Sequence, residues 1–375
     1  MNQKRPSSHY ILFGILITIL ITGIYSAINL TSNVKLMAES VKSDRKKTMD
    51  PIAPDPGKTK PEKYETGPNT KKVKIGAYLE RIEDLDIKKS SWTYEFYLWF
   101  SWKPNEINLT GRNDNLHNNE LPFSIINGDI LKAEKIQEVY DVKKNIAYIQ
   151  YFVKAQNTQF FDVSLYPIDQ HDLIIPIEHK WLDRSQVVFV PDTIDSKVSS
   201  RVNVNGYEKE STVKLIEKPH AYKSARGNPK LDAGYKVDFS QLRMSLRIYK
   251  GGLSVILKLF IIMYIAVLVT FIAPFSSDPS RYTVGALFTT AGANYILSSK
   301  LPASNVYTLA EIINTSCMAI IIIMMALLAV VPTVIFKDGI IDKVEKRLND
   351  LITLSMFAFF IVINTLVAWT ALLYS

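Results

Sequence analysis

The spacing of long apolar runs constrains this chain more than any motif in it. Runs long enough to cross a hydrocarbon layer of ~30 Å lie at Tyr10–Ile28, Leu253–Pro274, Ile312–Phe336 and Leu351–Tyr374, with a less apolar one at Tyr282–Leu297. The last four follow one another with no folded domain between them, whereas a long polar region separates them from the first. Backbone in lipid must satisfy its own hydrogen bonds, so each run predicts a helix. The hydrophobic content of 47% averages over these regimes and describes neither.

Lys4 and Arg5 precede the first run, so residues 1–30 read as a signal peptide or an uncleaved anchor. Tyr25-Ser26-Ala27 is a poor small-x-small cleavage site and favours the anchor. Either reading puts the long polar region outside the cytoplasm. Residues 31–72 read as a disordered linker, because from Asp44 to Lys72 prolines 51, 54, 56, 61 and 68 stand among lysines with few apolar residues to offset ordering entropy. Within 73–250, short alternating runs at Trp92–Trp102, Ile146–Ala155, Leu173–Ile177 and Gln186–Val190 predict an antiparallel β-sandwich. Residues 251–375 predict a four-helix transmembrane domain.

Loop charge orients this arrangement. With a cytoplasmic N-terminus, the loop 337–350 lies inside and carries Lys337, Lys343, Lys346 and Arg347, as the positive-inside rule prefers. Lys300, outside, is an exception. The net charge of +8 is scattered and offers no single basic face for a nucleic acid. Cys317 is the single cysteine and lies in an apolar run, so no intrachain disulfide staples the exported region. His117, His171, His179 and His220 lack metal-ligand spacing, and no nucleophile elbow or phosphate loop occurs. Neither an enzyme, a metal site nor a cofactor is expected.

One loop then narrows the reading. Phe161-Asp162-Val163-Ser164-Leu165-Tyr166-Pro167-Ile168-Asp169 contains an aromatic-Pro-x-Asp sequence within the β-patterned region. Tyr78-Leu79 and Leu85-Asp86, Trp102-Lys103-Pro104, Pro229-x-Leu231-Asp232-x-x-Tyr235, Leu242-Arg243-Met244-Ser245-Leu246-Arg247 and Leu301-Pro302 accompany it in order. This ordered set resembles the pentameric ligand-gated ion channels, the nicotinic-receptor-like family, in its bacterial form lacking the loop disulfide. Gln159 and Leu173 stand where animal members carry the bridging cysteines. The likeness covers about Val73–Ser375. Departures are Glu120-Leu121-Pro122 for Trp-x-Pro and the missing proline of the first membrane helix, with Lys258 nearby.

The resemblance implies a homopentamer in a bacterial inner membrane, with the β domain in the periplasm or outside and a small ligand between subunits opening a path for ions. It carries a ligand site onto Trp181 and Tyr222, with Asn127, Lys230 and Glu95 at positions that have lost the family's aromatics. An ammonium at 230 suits a zwitterionic or anionic ligand better than the cation an aromatic box attracts. Trp181 in the core and Lys230 in solvent is the competing reading.

For coupling, the resemblance gathers Asp86, Asp169 and Arg247 at the membrane junction with Tyr166, Pro167 and Pro302, one guanidinium bridging two carboxylates. An ordinary surface ion pair is the alternative. The pore falls to Asp278–Lys300, the one C-terminal run rich in Thr, Ser and Asn. Two registers compete there. Anchored on Leu301-Pro302, Arg281, Gly285, Phe288, Gly292 and Ile296 face the lumen; anchored on Pro279-Ser280-Arg281, Thr283, Leu287, Thr290, Asn294 and Leu297 do. Both leave Arg281 at the cytoplasmic mouth, where five copies would favour anions unless it snorkels to headgroups. Lys258 and Glu311 lie at similar depth, where a lone charge costs at least ~2.5 kcal/mol, so an interhelical pair is expected, with snorkelling of Lys258 as its rival. A non-conducting sensor or scaffold of the same architecture is the alternative function.

Overall fold

The computed structural model describes residues 8–55, 67–110, 120–224, 229, 232, 236–301, 306–330 and 343–374. They fall into two compact units, one comprising Lys42–Phe161 and Gln170–Tyr249, the other Met1–Val41, Asp162–Asp169 and Lys250–Ser375.

The first unit is built from strands β1 (Lys71–Asp86), β2 (Ser91–Trp102), β3 (Phe123–Ile125), β4 (Gly128–Asp141), β5 (Ile146–Thr158), β6 (Gln170–His179), β7 (Val187–Pro191), β8 (Lys197–Val198), β9 (Glu208–Lys209), β10 (Lys214–Lys223) and β11 (Lys236–Tyr249). They form two sheets, one in the order β4-β5-β2-β1-β7 with β8 on β1, the other β10-β11-β6-β3 with β9 on β11. β7 and β8 run parallel to β1, and the remaining pairings are antiparallel.

Alternation explains the strands. In β2, Trp92, Tyr94, Phe96, Leu98, Phe100 and Trp102 are buried at every second position. Each such side chain contributes ~1.5–3 kcal/mol on burial. They join Leu173, Ile175, Ile177, Leu242, Met244, Leu246 and Ile248 of the other sheet in one apolar cluster. Asn157 spans that cluster, accepting from Tyr94 Oη at 2.8 Å and donating to Ile174 O at 3.1 Å.

The second unit is helical. It holds α2 (Gly252–Ile272), a 3-10 turn at Ala273–Phe275, α3 (Pro279–Lys300), α4 (Leu309–Val330) and α5 (Lys343–Tyr374). It also includes most of α1, which spans Ser8–Thr48. α1, α2, α4 and α5 are long and apolar enough to cross a membrane. α2 packs on α5 through Tyr264 on Phe360 and Phe271 on Phe357, a pairing that runs antiparallel. Asn314 donates to Asn294 of α3 at 2.6 Å and Ser316 to Asn364 of α5 at 3.2 Å, polar contacts that fix helix order in an apolar medium. Gly23 meets the Phe359 ring and Lys35 lies 4.9 Å above the Tyr374 ring, so α1 and α5 run parallel.

Two expectations need correction. The disordered linker placed at 31–72 is helical to Thr48. Val34, Ala38 and Val41 recur at helical spacing and are buried, a stripe masked by the Lys-rich, Pro-rich composition beyond it. The helix stops before Pro51, and the Asp50 carboxylate then accepts from Ile52 and Ala53 N–H in a side-chain-closed turn.

The pair between Lys258 and Glu311 does not form. The Glu311 carboxylate accepts from Thr308 N at 2.8 Å and Thr308 Oγ1 at 2.9 Å, while Thr308 Oγ1 accepts from Glu311 N. That is the reciprocal cap of a Thr-x-x-Glu helix start, and it satisfies orphan donors locally. Lys258 is exposed. Accordingly, Thr308→Ala should cost ~1 kcal/mol through loss of the cap. A double-mutant cycle of Glu311→Ala with Lys258→Met should show no coupling, read as thermal unfolding in detergent. Coupling between 258 and 311 would restore the ion-pair reading.

Candidate functional site

The aromatic-Pro-x-Asp loop, residues 162–169, leaves the β unit and belongs to the helical one. Asp162 folds it, its carboxylate accepting from Ser164 N at 2.9 Å. Leu309 N at the start of α4 donates to Ser164 O at 2.7 Å, and Lys250 N donates to Asp169 O at 3.2 Å. The Tyr166–Pro167 peptide is cis. The Asp169 side chain is 1% exposed and pairs with Lys250 Nζ at 3.4 Å. The same ammonium lies 4.5 Å above the Tyr166 ring, a cation–π contact. Burial, and then the Asp169 charge, push the Tyr166 phenol up, so it stays a neutral donor.

Of the expected trio of Asp86, Asp169 and Arg247, each has a partner of its own. Arg247 Nε donates to Asp172 at 3.0 Å and NH1 to Glu210 at 3.5 Å. Asp86 turns to Lys89, whose N–H and ammonium it accepts at 2.9 and 3.3 Å. Strand register explains the change, because Arg247 faces Asp172 directly across the β11–β6 ladder. The buried partner of Asp169 is Lys250, which in the sequence looks like no more than a helix flank. Pro302 lies outside the described residues.

Of the five ligand-site residues, Tyr222, Trp181 and Glu95 each have their own partners. Tyr222 on β10 donates to the buried Glu178 at 3.0 Å, its ring packed by His220 and Phe239. Trp181 is partly buried and stands edge-on to the His179 ring, with centroids 5.0 Å apart. Glu95 lies on the other sheet, bridged to Arg81 at 3.2 Å and Lys154 at 3.8 Å. Lys230 lies outside the described residues.

Asn127, at a positive φ of 56° between β3 and β4, lines a cavity of about 300 Å³ with Gln159, Phe160, Pro176, His220, Gln241, Arg243 and Asp55. Beside this cavity is a charge cluster with no sequence counterpart. Arg243 NH1 and NH2 grip the Asp55 carboxylate at 2.7 and 3.0 Å, and Lys218 Nζ reaches it at 2.9 Å. His220 Nδ1 stands 4.0 Å away. Lys218 also donates to Lys47 O at 2.6 Å and Arg243 to Thr48 O at 2.8 Å, closing the carbonyl end of α1.

Lys218 and Arg243 are 3% and 7% exposed. Burial works to raise the Asp55 carboxyl, but the hydrogen bonds from Arg243 and Lys218 outweigh it and hold the group well below the usual carboxylate range. Burial, helped by neighbouring Arg243, lowers the Lys218 ammonium despite Asp55. The signal was present in the alternation of Gln241, Arg243, Ser245 and Arg247 with Leu242, Met244, Leu246 and Ile248. That pattern reads as a solvated face, and only the fold shows Gln241, Arg243 and Ser245 covered.

On α3, Thr283 and Thr290 are fully buried and donate to carbonyls of their own helix, while Asn294 bonds to α4. The register built on these three therefore packs them against the protomer's own helices. Arg281, Gly285, Phe288, Gly292 and Ile296 occupy the uncovered face, with Phe288 74% exposed.

Comparisons with protein-family models and with curated proteins return no match to this chain.

The Asp55 clamp has a defined pH signature. Its folded-state value lies below that of a free aspartate, so its contribution is complete above the free value and drains as pH falls through the folded one. The gap in thermal midpoint between wild type and Asp55→Asn should shrink as pH falls below about pH 4, where neighbouring His220 no longer changes its charge. A gap that grew below about pH 4 would contradict the assignment.

Proposed function

We propose that this chain is the protomer of a homopentameric ligand-gated ion channel of the nicotinic-receptor-like kind, with a β-sandwich outside the cytoplasm and α2–α5 as its membrane domain. One observation carries the reading. The aromatic-Pro-x-Asp loop springs from the β unit at Phe161, returns to it at Gln170, and packs between these points with the start of α2 and the start of α4. A loop so tied transmits a shift in β6 to two membrane helices, which is what a ligand-driven two-state gate needs.

Three features support the remainder. The parallel course of α1 and α5 agrees with a cytoplasmic N-terminus and an external C-terminus. Tyr222 and Glu95 lie on different sheets of one protomer, as the two halves of a site between neighbours would. The uncovered face of α3 carries Phe288, a ring able to close a narrow lumen by dewetting. Arg281 in five copies favours anions, while the α3 cap Asp278 opposes it.

Reconstituted in planar bilayers, the full chain should pass current in discrete steps. Phe288→Ala should raise the open fraction, and the reversal potential in a KCl gradient reads the selectivity. Removing one partner of a buried ion pair costs ~3–5 kcal/mol. If the Asp169–Lys250 tie differs between the closed and open states, Lys250→Met should shift the ligand concentration for half-activation, with Lys250→Arg closer to wild type and pentamers intact by native mass spectrometry. A wild-type protein that assembles and shows no current under ligand screening would instead be a sensor of the same architecture.

A further inference from the structure

The outer face of the β10–β11–β6 sheet holds two buried cations and one carboxylate that reaches them from outside the sheet. Asp55 follows α1 by seven residues and belongs to no strand. It enters a fork formed by both terminal nitrogens of Arg243, with Lys218 Nζ as a third donor. A guanidinium presenting two parallel N–H groups to two oxygens is the geometry by which proteins recognise a free carboxylate.

The fork is also braced. Arg243 Nε donates to Gln241 at 2.6 Å, and Gln241 Nε2 donates to Glu178 at 2.7 Å. The donors therefore keep their orientation whether or not Asp55 is present. Lys218 and Arg243 both face Asp55, and Asp50 is a second carboxylate acting on Lys218. The cavity of about 300 Å³ opens alongside, bringing Asn127, Gln159 and His220 next to Arg243. That volume is at the lower end for small-molecule sites.

We propose that Arg243, Lys218 and His220 form a carboxylate-binding site that Asp55 occupies as a tethered internal ligand, and that a small free carboxylate entering from the adjoining cavity displaces it. Displacement frees the segment after Thr48, because Arg243 and Lys218 hold Asp55 and the α1 terminus together. The site stands whether or not the helices conduct, and its test uses no current.

The test uses the full chain in detergent at pH 7, with sodium acetate as probe and sodium chloride at equal ionic strength as control. Asp55→Ala should unfold at a lower temperature than wild type, and acetate should restore the midpoint saturably while chloride does not. Arg243→Gln added to Asp55→Ala should abolish the rescue. Inorganic phosphate should act more weakly than acetate, and equal action would overturn the carboxylate assignment.

Displacement is read separately from a nitroxide at Ile52→Cys, a position 82% exposed, in a Cys317→Ala background. Acetate should increase the mobile component in otherwise wild-type protein. It should need more acetate than the rescue does, because the tethered carboxylate competes for the same donors. In Asp55→Ala the label should be mobile from the start. If Asp55→Ala does not fold, Asp55→Asn takes its place. Equal effects of acetate and chloride, or rescue that survives Arg243→Gln, would overturn the proposal.

Discussion

A carboxylate held at 1% exposure needs a cation beside it, since an ion buried without a partner costs several kcal/mol. Lys250 meets that need for Asp169, and the two residues are also joined through backbone, Lys250 N to Asp169 O. Asp169 ends the aromatic-Pro-x-Asp loop and Lys250 follows β11, so two separate strands of chain are bound to each other where they enter the helical unit. Ser164 adds a third tie, to the first residue of α4. The charge pair thus selects which residues of a β-rich segment fold with helices. Tyr166 strengthens the choice by laying its ring under the ammonium.

The other buried charges solve a different problem. A sheet that packs on one side has one face for the core and one for water, yet β11 buries both, with Leu242 and Met244 on one side and Gln241 and Arg243 on the other. Burying a guanidinium is tolerable only with its donors satisfied. Asp55, Thr48 O and Gln241 supply acceptors for all three of its nitrogens. Burial and ion pairing are therefore one event, since the segment that excludes water from the face also neutralises it.

Much of the fold was legible because it rests on local periodicity. Period-2 alternation located β2, β5, β6 and β7 to within a few residues, and unbroken apolar runs located α1, α2, α4 and α5. Tyr166 to Asp169 was recognisable as a loop of special composition. The partners of charged residues were not legible. Asp169, Arg247 and Asp86 looked like one cluster by analogy, yet ladder register gave Arg247 to Asp172, and the hairpin turn gave Asp86 to Lys89. Glu311 was legible in principle, as Thr308-x-x-Glu311 is a helix-start pattern, although a charge near lipid invites the assumption of a distant partner.

The amino-acid sequence by itself determined that β2, β5, β6 and β7 are strands and that α1, α2, α4 and α5 hold apolar runs of membrane length, since these follow from side-chain spacing. Tertiary structure alone decided that the buried face of α3 is Thr283 and Thr290, that Lys250 neutralises Asp169, and that Asp55 closes the Arg243 fork. Those outcomes depend on which surfaces meet across long stretches of chain. Desolvation, which sets the cost of every charge at such a contact, is a property of the assembled neighbourhood and of no local pattern.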